Sequence, residues 1–330
     1  MEQHIHDVVH GIEGIDFSVL TGSRSRSRVE DGDDGVRVVR APEIGRVLSS
    51  PLIASWAREL RSLNPDLVHV HMPNPVGEMA ALRSRLPLVA TYHADIPRAR
   101  ALVPAYVPVQ QRFLARCRRI VVSNPAMADV EPLRPHRDRV IVIPFGVDPD
   151  QWHRPAAADE LDVQVLFLGR LVHYKGLPVL MEAMRSVDAG CAVVGDGPVR
   201  PPPPGNVSYV GAVPDPERAA WYHAADVFVL PSTSRAETFG ISMLEAMACG
   251  TPAISTEVGT GTSWLNVDGE TGLVVAPGDP HALVRALHRL LGDDGLRRRM
   301  GEAAQRRVSA HFTRRAMLDS LRQMYESALA

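Results

Sequence analysis

Lysine is nearly missing from this chain: a single residue, Lys175, stands beside 35 arginines in 330 residues. Wherever a generic positive charge suffices the sequence uses Arg, so position 175 reads as a place that wants a compact ammonium rather than a planar fork. Cysteine is scarce as well. Cys117, Cys191 and Cys249 are odd in number and far apart, which excludes a disulfide framework or a CxxC metal pattern and favours a reducing compartment. Excess charge of either sign is lacking too, since 36 Lys plus Arg and 38 Asp plus Glu leave a formal −2. A dedicated nucleic-acid binder is therefore not expected. No apolar run approaches the roughly 18 residues of a spanning helix, and MEQHIHDVVH does not read as a signal peptide. With 45% hydrophobic and 22% charged residues, the chain reads as globular, with a length that suits two domains.

Short apolar runs alternate with amphipathic ones, which predicts an α/β fold with parallel sheets. Strands are expected at 16–22, 66–72, 87–93, 119–124 and 139–147 in the first half. Helices fit 51–63, where Leu52, Ile53, Trp56 and Leu60 form one stripe, and also 76–85 and 105–117. The second half predicts strands at 163–171, 191–197, 206–213, 226–232, 251–257 and 271–277. Its helices are expected at 177–186, 215–224, 240–249, 280–291 and 294–309, with a last one over 312–329. Between the two series, PFGVDPDQWHRP (144–155) has the Pro, Gly and Asp content of a linker. RPPPPG (200–205) predicts a stiff loop. Two such domains facing one another would place a ligand cleft at the C-terminal ends of their strands.

Two stretches carry chemistry. In LFLGRLVHYKG (166–176) a strand ends at Gly169, and Arg170 and Lys175 follow before a helix near Leu177. Glycine lets backbone approach a ligand, and two cations beside a helix N-terminus suit a diphosphate. A merely basic surface loop would explain Arg170 equally well, but not the solitary lysine. In ETFGISMLE, Glu237 and Glu245 lie eight apart. With a helix starting near Gly240, a loop carboxylate, the free amides of Phe239 to Ile241 and a helix carboxylate can surround one ligand. Carboxylates are natural acceptors for pairs of sugar hydroxyls.

FLGRLVHYKG, VVGDGP, FVLPSTSRAETFGISMLEAMACGTPAIST and GETGLVVAPGDP together resemble glycosyltransferase family four, retaining sugar transferases of GT-B fold. The resemblance covers residues 160–310 in order. It continues more thinly through DLVHVHMPNP, TYHADI and VIPFGVD. It implies two Rossmann-like domains, an acceptor-side one over 1–148 and a nucleotide-sugar domain over 149–310, with a helix over 311–330 packing back on the first. Arg170 and Lys175 would then hold the donor diphosphate, Glu237 the hydroxyls of the transferred sugar and Glu245 the ribose. Gly169 and the amides of Phe239, Gly240 and Ile241 would meet phosphate and sugar oxygens, with Val210 and Gly211 near the base. His93 in TYHAD matches the histidine that sits against the donor sugar; without the resemblance it would read as a structural hydrogen-bonder. Asn74 and Asp95 would face the acceptor. The family needs no metal or cofactor, its cations taking the place of magnesium. His69 and His71 share one strand face but lack a third ligand, so they read as cleft-lining or structural.

Family members usually open with a strand and a glycine-rich turn before the first helix. Here EQHIHDVVHGI already resembles that helix, with Ile5, Val8, Val9 and Ile12 spaced to face a sheet. A truncated start is the expectation, with an inactive nucleotide-sugar-binding protein as the alternative function and a GT-B epimerase as a further one. The leading expectation is a retaining, metal-independent hexosyltransferase. Its donor would be a nucleotide-diphosphate sugar, GDP-mannose first and UDP-sugars next, and its acceptor a saccharide or lipid-linked saccharide. Cytoplasmic location is expected, and RFLARCRRI (112–120) suits peripheral contact with an anionic membrane surface.

Overall fold

A computed structural model describes residues 2–24, 28–33, 35–47, 50–94 and 103–330. The chain divides into two compact units, one of Met1–Pro144 with Met317–Ala330, the other of Phe145–Ala316. Among the described residues no helix is long and apolar enough to cross a membrane.

The first unit opens with helix α1 (Glu2–Gly11) and carries strands β1 (Ser18–Ser23), β2 (Val29–Asp33), β3 (Val36–Pro42), β4 (Gly45–Val47) and β5 (Ser50–Leu52). Helix α2 (Trp56–Leu63) leads to β6 (Val68–Met72), α3 (Pro75–Leu82), β7 (Leu88–Tyr92), α4 (Val103–Arg116), β8 (Cys117–Val122), α5 (Pro125–Ala128) and β9 (Val140–Val142). A parallel four-stranded sheet runs β6-β7-β8-β9. All five residues of β7 are buried, as expected of a strand covered on both faces. A separate three-stranded sheet runs β1-β3-β2, so β1 and β6 each pair along one edge.

The second unit is a six-stranded parallel sheet in the order β12-β11-β10-β13-β14-β15. Its strands are β10 (Val163–Leu168), β11 (Cys191–Val194), β12 (Val207–Gly211), β13 (Ala225–Leu230), β14 (Ala253–Thr256) and β15 (Gly272–Val275). Helices α6 (Leu177–Met184), α7 (Arg218–Ala224), α8 (Ile241–Ala248), α9 (Thr262–Leu265), α10 (Pro280–Leu291) and α11 (Asp294–His311) cover its two faces, and α12 (Arg314–Leu329) ends the chain. Alternate residues of each strand serve opposite faces. Val165, Phe167, Val193, Val227 and Val229 pack with α6 and α10, while Leu166, Leu168, Ala192, Phe228 and Leu230 pack with α7, α8 and α11. From β10 the chain steps outward through β11 to β12, then returns to place β13 on the other flank of β10. The carboxyl ends of β10 and β13 therefore border a topological switch point, the ligand crevice of open α/β sheets.

Three expectations about elements need correction. The helix expected over 51–63 begins at Trp56, because residues 50–52 pair with β4 as a strand and Pro51 lies inside it. Strands β2 and β3 were not foreseen; VEDGDDGV has the composition of a turn, and β2 exists through its antiparallel pairing with β3, whose other edge pairs in parallel with β1. The strand expected over 139–147 stops at Val142, and beyond it Gly146 packs against the backbone of Thr313 with no room for a β-carbon.

Candidate active site

Glycines end the three strands on one side of the switch point. Gly169 follows β10 at φ +154, Gly195 follows β11 at φ +133, and Gly211 closes β12 at φ +94. A side chain on Gly195 would collide with the carbonyl oxygen of Gly169. The strand ends thus lie backbone to backbone, with Gly169 N–H donating to Val194 O at 3.0 Å and Gly195 N–H to Gly211 O at 2.7 Å. Val210 beside Gly211 is 40% exposed.

The loop after β10 makes a short turn, His173–Lys175, closed by Gly176 at φ +75. Any β-carbon on Gly176 would run into the carbonyl oxygen of Pro231, just past β13. That close approach draws Lys175 inward, to 8% exposure. Its Nζ lies 2.5 Å from Glu237 Oε2 and 5.8 Å from the centroid of the Tyr174 ring. Glu237 is equally buried, at 6%. The Ser232 hydroxyl donates to its Oε2 at 3.2 Å, and the Thr260 hydroxyl donates to its backbone carbonyl at 2.6 Å. The only lysine of the sequence is therefore one half of a buried ion pair. Arg170 is exposed, and among the described residues its side chain makes no hydrogen bond or ion pair.

Gly240 caps α8 at φ +91 and offers no side-chain cap. The amides at the helix start precede its first internal bonds, those of Met243 and Leu244 N–H to Gly240 O, and so point outward as donors. The Phe239 side chain supplies an anchor: it is buried among Phe145, Trp264 and Phe312 at ring-centroid distances of 5.3, 6.4 and 6.1 Å. This fixes the backbone of 239–241 against the core while Ile241 stays 42% exposed.

Glu245, one turn further along α8, is 5% exposed. Arg218 Nη1 donates to both of its oxygens, at 3.0 and 3.2 Å, and the Tyr222 hydroxyl donates to Oε2 at 2.7 Å. Burial nonetheless raises its pKa above the ordinary carboxylate value, against the pull of Arg218. The guanidinium also lies over Trp152, 5.7 Å from the ring centroid. A carboxylate has about four lone-pair sites, so these donors leave acceptor capacity for a hydroxyl. Arg218 and Tyr222 escaped sequence reasoning, since they stand 27 and 23 residues before Glu245 and only the folding of α7 against α8 unites them.

In the first unit His93 follows β7. Its Nε2 shares a hydrogen bond of 2.9 Å with His71 Nδ1, the two rings stacking at 5.2 Å. His69 stacks on His71 at 4.5 Å and bonds Tyr325 Oη and Thr91 Oγ1 at 2.8 Å each. His4 meets His71 and His93 edge-on. Burial lowers the pKa of His69 and His93 to about 3, that of His4 to about 4, and that of His71 well below its ordinary value. These imidazoles are neutral near pH 7, so His93 offers a hydrogen bond rather than a charge. Asn74 is occupied as the N-cap of α3: its Oδ1 accepts from Gly77 N–H at 3.1 Å, and its own N–H donates to Glu78 Oε1 at 3.0 Å. Asp95 lies outside the described residues. Among those residues, no group of three His, Cys, Asp or Glu is arranged to hold a metal ion.

The architecture is that of the GT-B class, two Rossmann-like units. Sucrose-phosphate synthase from Thermosynechococcus elongatus superposes with a TM-score of 0.79 at 22% identity, over 98% of this chain and 92% of the other. Anabaena HepE in complex with UDP-glucose gives 0.79 at 18% identity, over 99% and 95%. The family model for Glycosyltransferase Family 4 matches residues 1–151, and that for Glycosyl transferases group 1 matches 148–307. O-antigen chain mannosyltransferase C of Escherichia coli is 31% identical over 100% of this chain and 94% of its own length. D-rhamnosyltransferase WbpZ of Pseudomonas aeruginosa is 35% identical over 92% and 85%. The chain belongs to glycosyltransferase family four, and it is a glycosyltransferase.

Proposed function

We propose that the protein transfers a hexose, mannose from GDP-mannose in the first instance, to a saccharide or lipid-linked acceptor in surface-polysaccharide or glycoconjugate synthesis. The observation that carries this reading is the convergence of Gly169, the buried Lys175–Glu237 pair and the first turn of α8 where β10 and β13 part. A diphosphate suits the ammonium and the free amides, and fixed cations can stabilise the charge that grows on a leaving phosphate. Arg170, exposed and unpaired by side-chain bonds, supplies a second cation. Glu237 fits the hydroxyls of the transferred sugar, Glu245 those of the ribose, and neutral His93 a hydrogen bond to the sugar. The mannosyl and rhamnosyl relatives support the choice of donor.

Retention follows most simply from reaction on one face. The bond from the anomeric carbon to the β-phosphate oxygen breaks, the acceptor oxygen bonds to that carbon from the same side, and its proton passes to the departing phosphate. Glu237, held by Lys175, acts here as a binding group rather than a nucleophile. No metal is assigned a role, and the protein is expected in the cytoplasm, with peripheral contact at the membrane. Thermal-shift screening against a panel of nucleotide sugars tests the reading. GDP-mannose should give the largest stabilisation, and a panel without any stabilising member would overturn it.

A further inference from the structure

The Ser242 side chain is an anomaly in this site. Its hydroxyl oxygen is buried yet has no hydrogen-bond partner. A serine in the first turn of a helix ordinarily satisfies its hydroxyl on nearby backbone, and a buried polar atom left without a partner calls for an explanation. Gly169 suggests one. A β-carbon built there would lie 4.0 Å from Ser242 Oγ and 4.0 Å from Lys175 Nζ, with no other heavy atom of the described residues within that distance beyond its chain neighbours. Above the end of β10 there is therefore an opening bordered by a hydroxyl and an ammonium. Glycine at 169 keeps it open, and any other residue would begin to fill it.

We propose that Ser242 Oγ donates a hydrogen bond to a phosphate oxygen of the bound nucleoside diphosphate, in concert with Lys175 Nζ. The proposal rests on the donor-site reading and adds a ligand to it. The hydroxyl sits at the second position of α8, whose first amides lack intrahelical partners and whose dipole already favours an anion. A phosphate oxygen in the opening would satisfy the orphaned group and draw charge from the lysine at once. Because the hydroxyl is unbonded in the free protein, its removal should cost the fold nothing; only phosphate binding should suffer.

Calorimetric titration of the full chain with GDP and UDP, and with guanosine and uridine, tests this for the wild type, Ser242→Ala and Ser242→Thr. Ser242→Ala should bind the diphosphates about 10-fold more weakly, the loss of one hydrogen bond to a charged acceptor. Nucleoside affinity should stay unchanged, the ligand-free melting temperature should be equal or higher, and Ser242→Thr should retain most of the diphosphate affinity. Diphosphate affinity unchanged in Ser242→Ala would overturn the assignment of Ser242 and leave the donor site standing. Equal losses for nucleoside and diphosphate, with a lower ligand-free melting temperature, would overturn it in favour of a structural role. A wild type that binds neither diphosphate would overturn the donor-site reading and this proposal together.

Discussion

Replacing Lys175 with methionine keeps the length of the side chain and deletes its charge. The Glu237 carboxylate, 6% exposed, would then face its low-dielectric surroundings with, among the described residues, only the Ser232 hydroxyl at 3.2 Å. Breaking a buried pair in this way costs about 3–5 kcal/mol, a large share of the roughly 5–15 kcal/mol that holds a domain together. Glu237→Gln in the same background removes the stranded charge, so the double variant should regain about 2 kcal/mol or more of that loss. Activity should behave differently. Lys175→Met should lower kcat/KM by about 10²-fold or more, about 2.7 kcal/mol of transition-state stabilisation. Adding Glu237→Gln should not restore it, because both charges are assigned to the donor. Denaturant unfolding of the four proteins, beside transfer assays, separates the two effects. Strictly additive stability losses would refute the buried pair, and a double variant with restored turnover would refute the assignment of Lys175 to the leaving phosphate.

Glu245→Ala should weaken free nucleoside diphosphate and nucleotide sugar alike, whereas Glu237→Ala should lose only the affinity that the sugar contributes; equal losses of free nucleotide binding would refute that division. Gly176→Ala, at φ +75 and against Pro231 O, should destabilise the second unit by about 2 kcal/mol or more and displace Lys175; calorimetric unfolding checks it, and an unchanged transition would be incompatible with the close approach. The neutral histidines set an acid limit on the first unit. Burial holds His4, His69 and His93 at about 4, 3 and 3, below the unfolded value, so the unfolded chain takes up protons first. Their stabilising contribution is complete above about pH 6.5 and falls as the pH drops from there towards 4, by about 1.4 kcal/mol per histidine at pH 5.5. Melting curves of the first unit at pH 7.5 and 5.5 should therefore differ, and identical curves would contradict the burial of these rings.

Much of this molecule was legible because its second unit obeys a simple grammar. Strands β10, β11 and β13 are apolar on both faces, every strand of the sheet except β11 leads into a helix, and glycines mark the ends of β10, β11 and β12. A lone lysine and two glutamates eight apart then pointed to a candidate site, and the fold pairs Lys175 with Glu237 beside the start of α8. The first unit was harder to read. Strand β2 is held by its pairing with β3 rather than by any apolar alternation in VEDGDD, and Pro51 sits in a strand that apolar spacing assigned to a helix. Sequence also named Asn74 without seeing that it caps α3. Arg218, Tyr222 and Ser242 became visible only when α7, α8 and the end of β10 met. Hydrogen-bond partners separated by more than 20 residues leave no spacing for a reader to find.

The central claim is transfer with retention from a nucleotide-diphosphate sugar, and the anomeric configuration of the product tests it most directly. The wild-type chain would be incubated with isotopically labelled GDP-mannose and lipid-linked saccharide acceptors, and the new linkage read by NMR alongside a Lys175→Met control. An α-linked mannose, absent from the control, is the predicted result. A β-linked product would contradict the one-face reaction, and transfer undiminished in the control would contradict the site on which it rests.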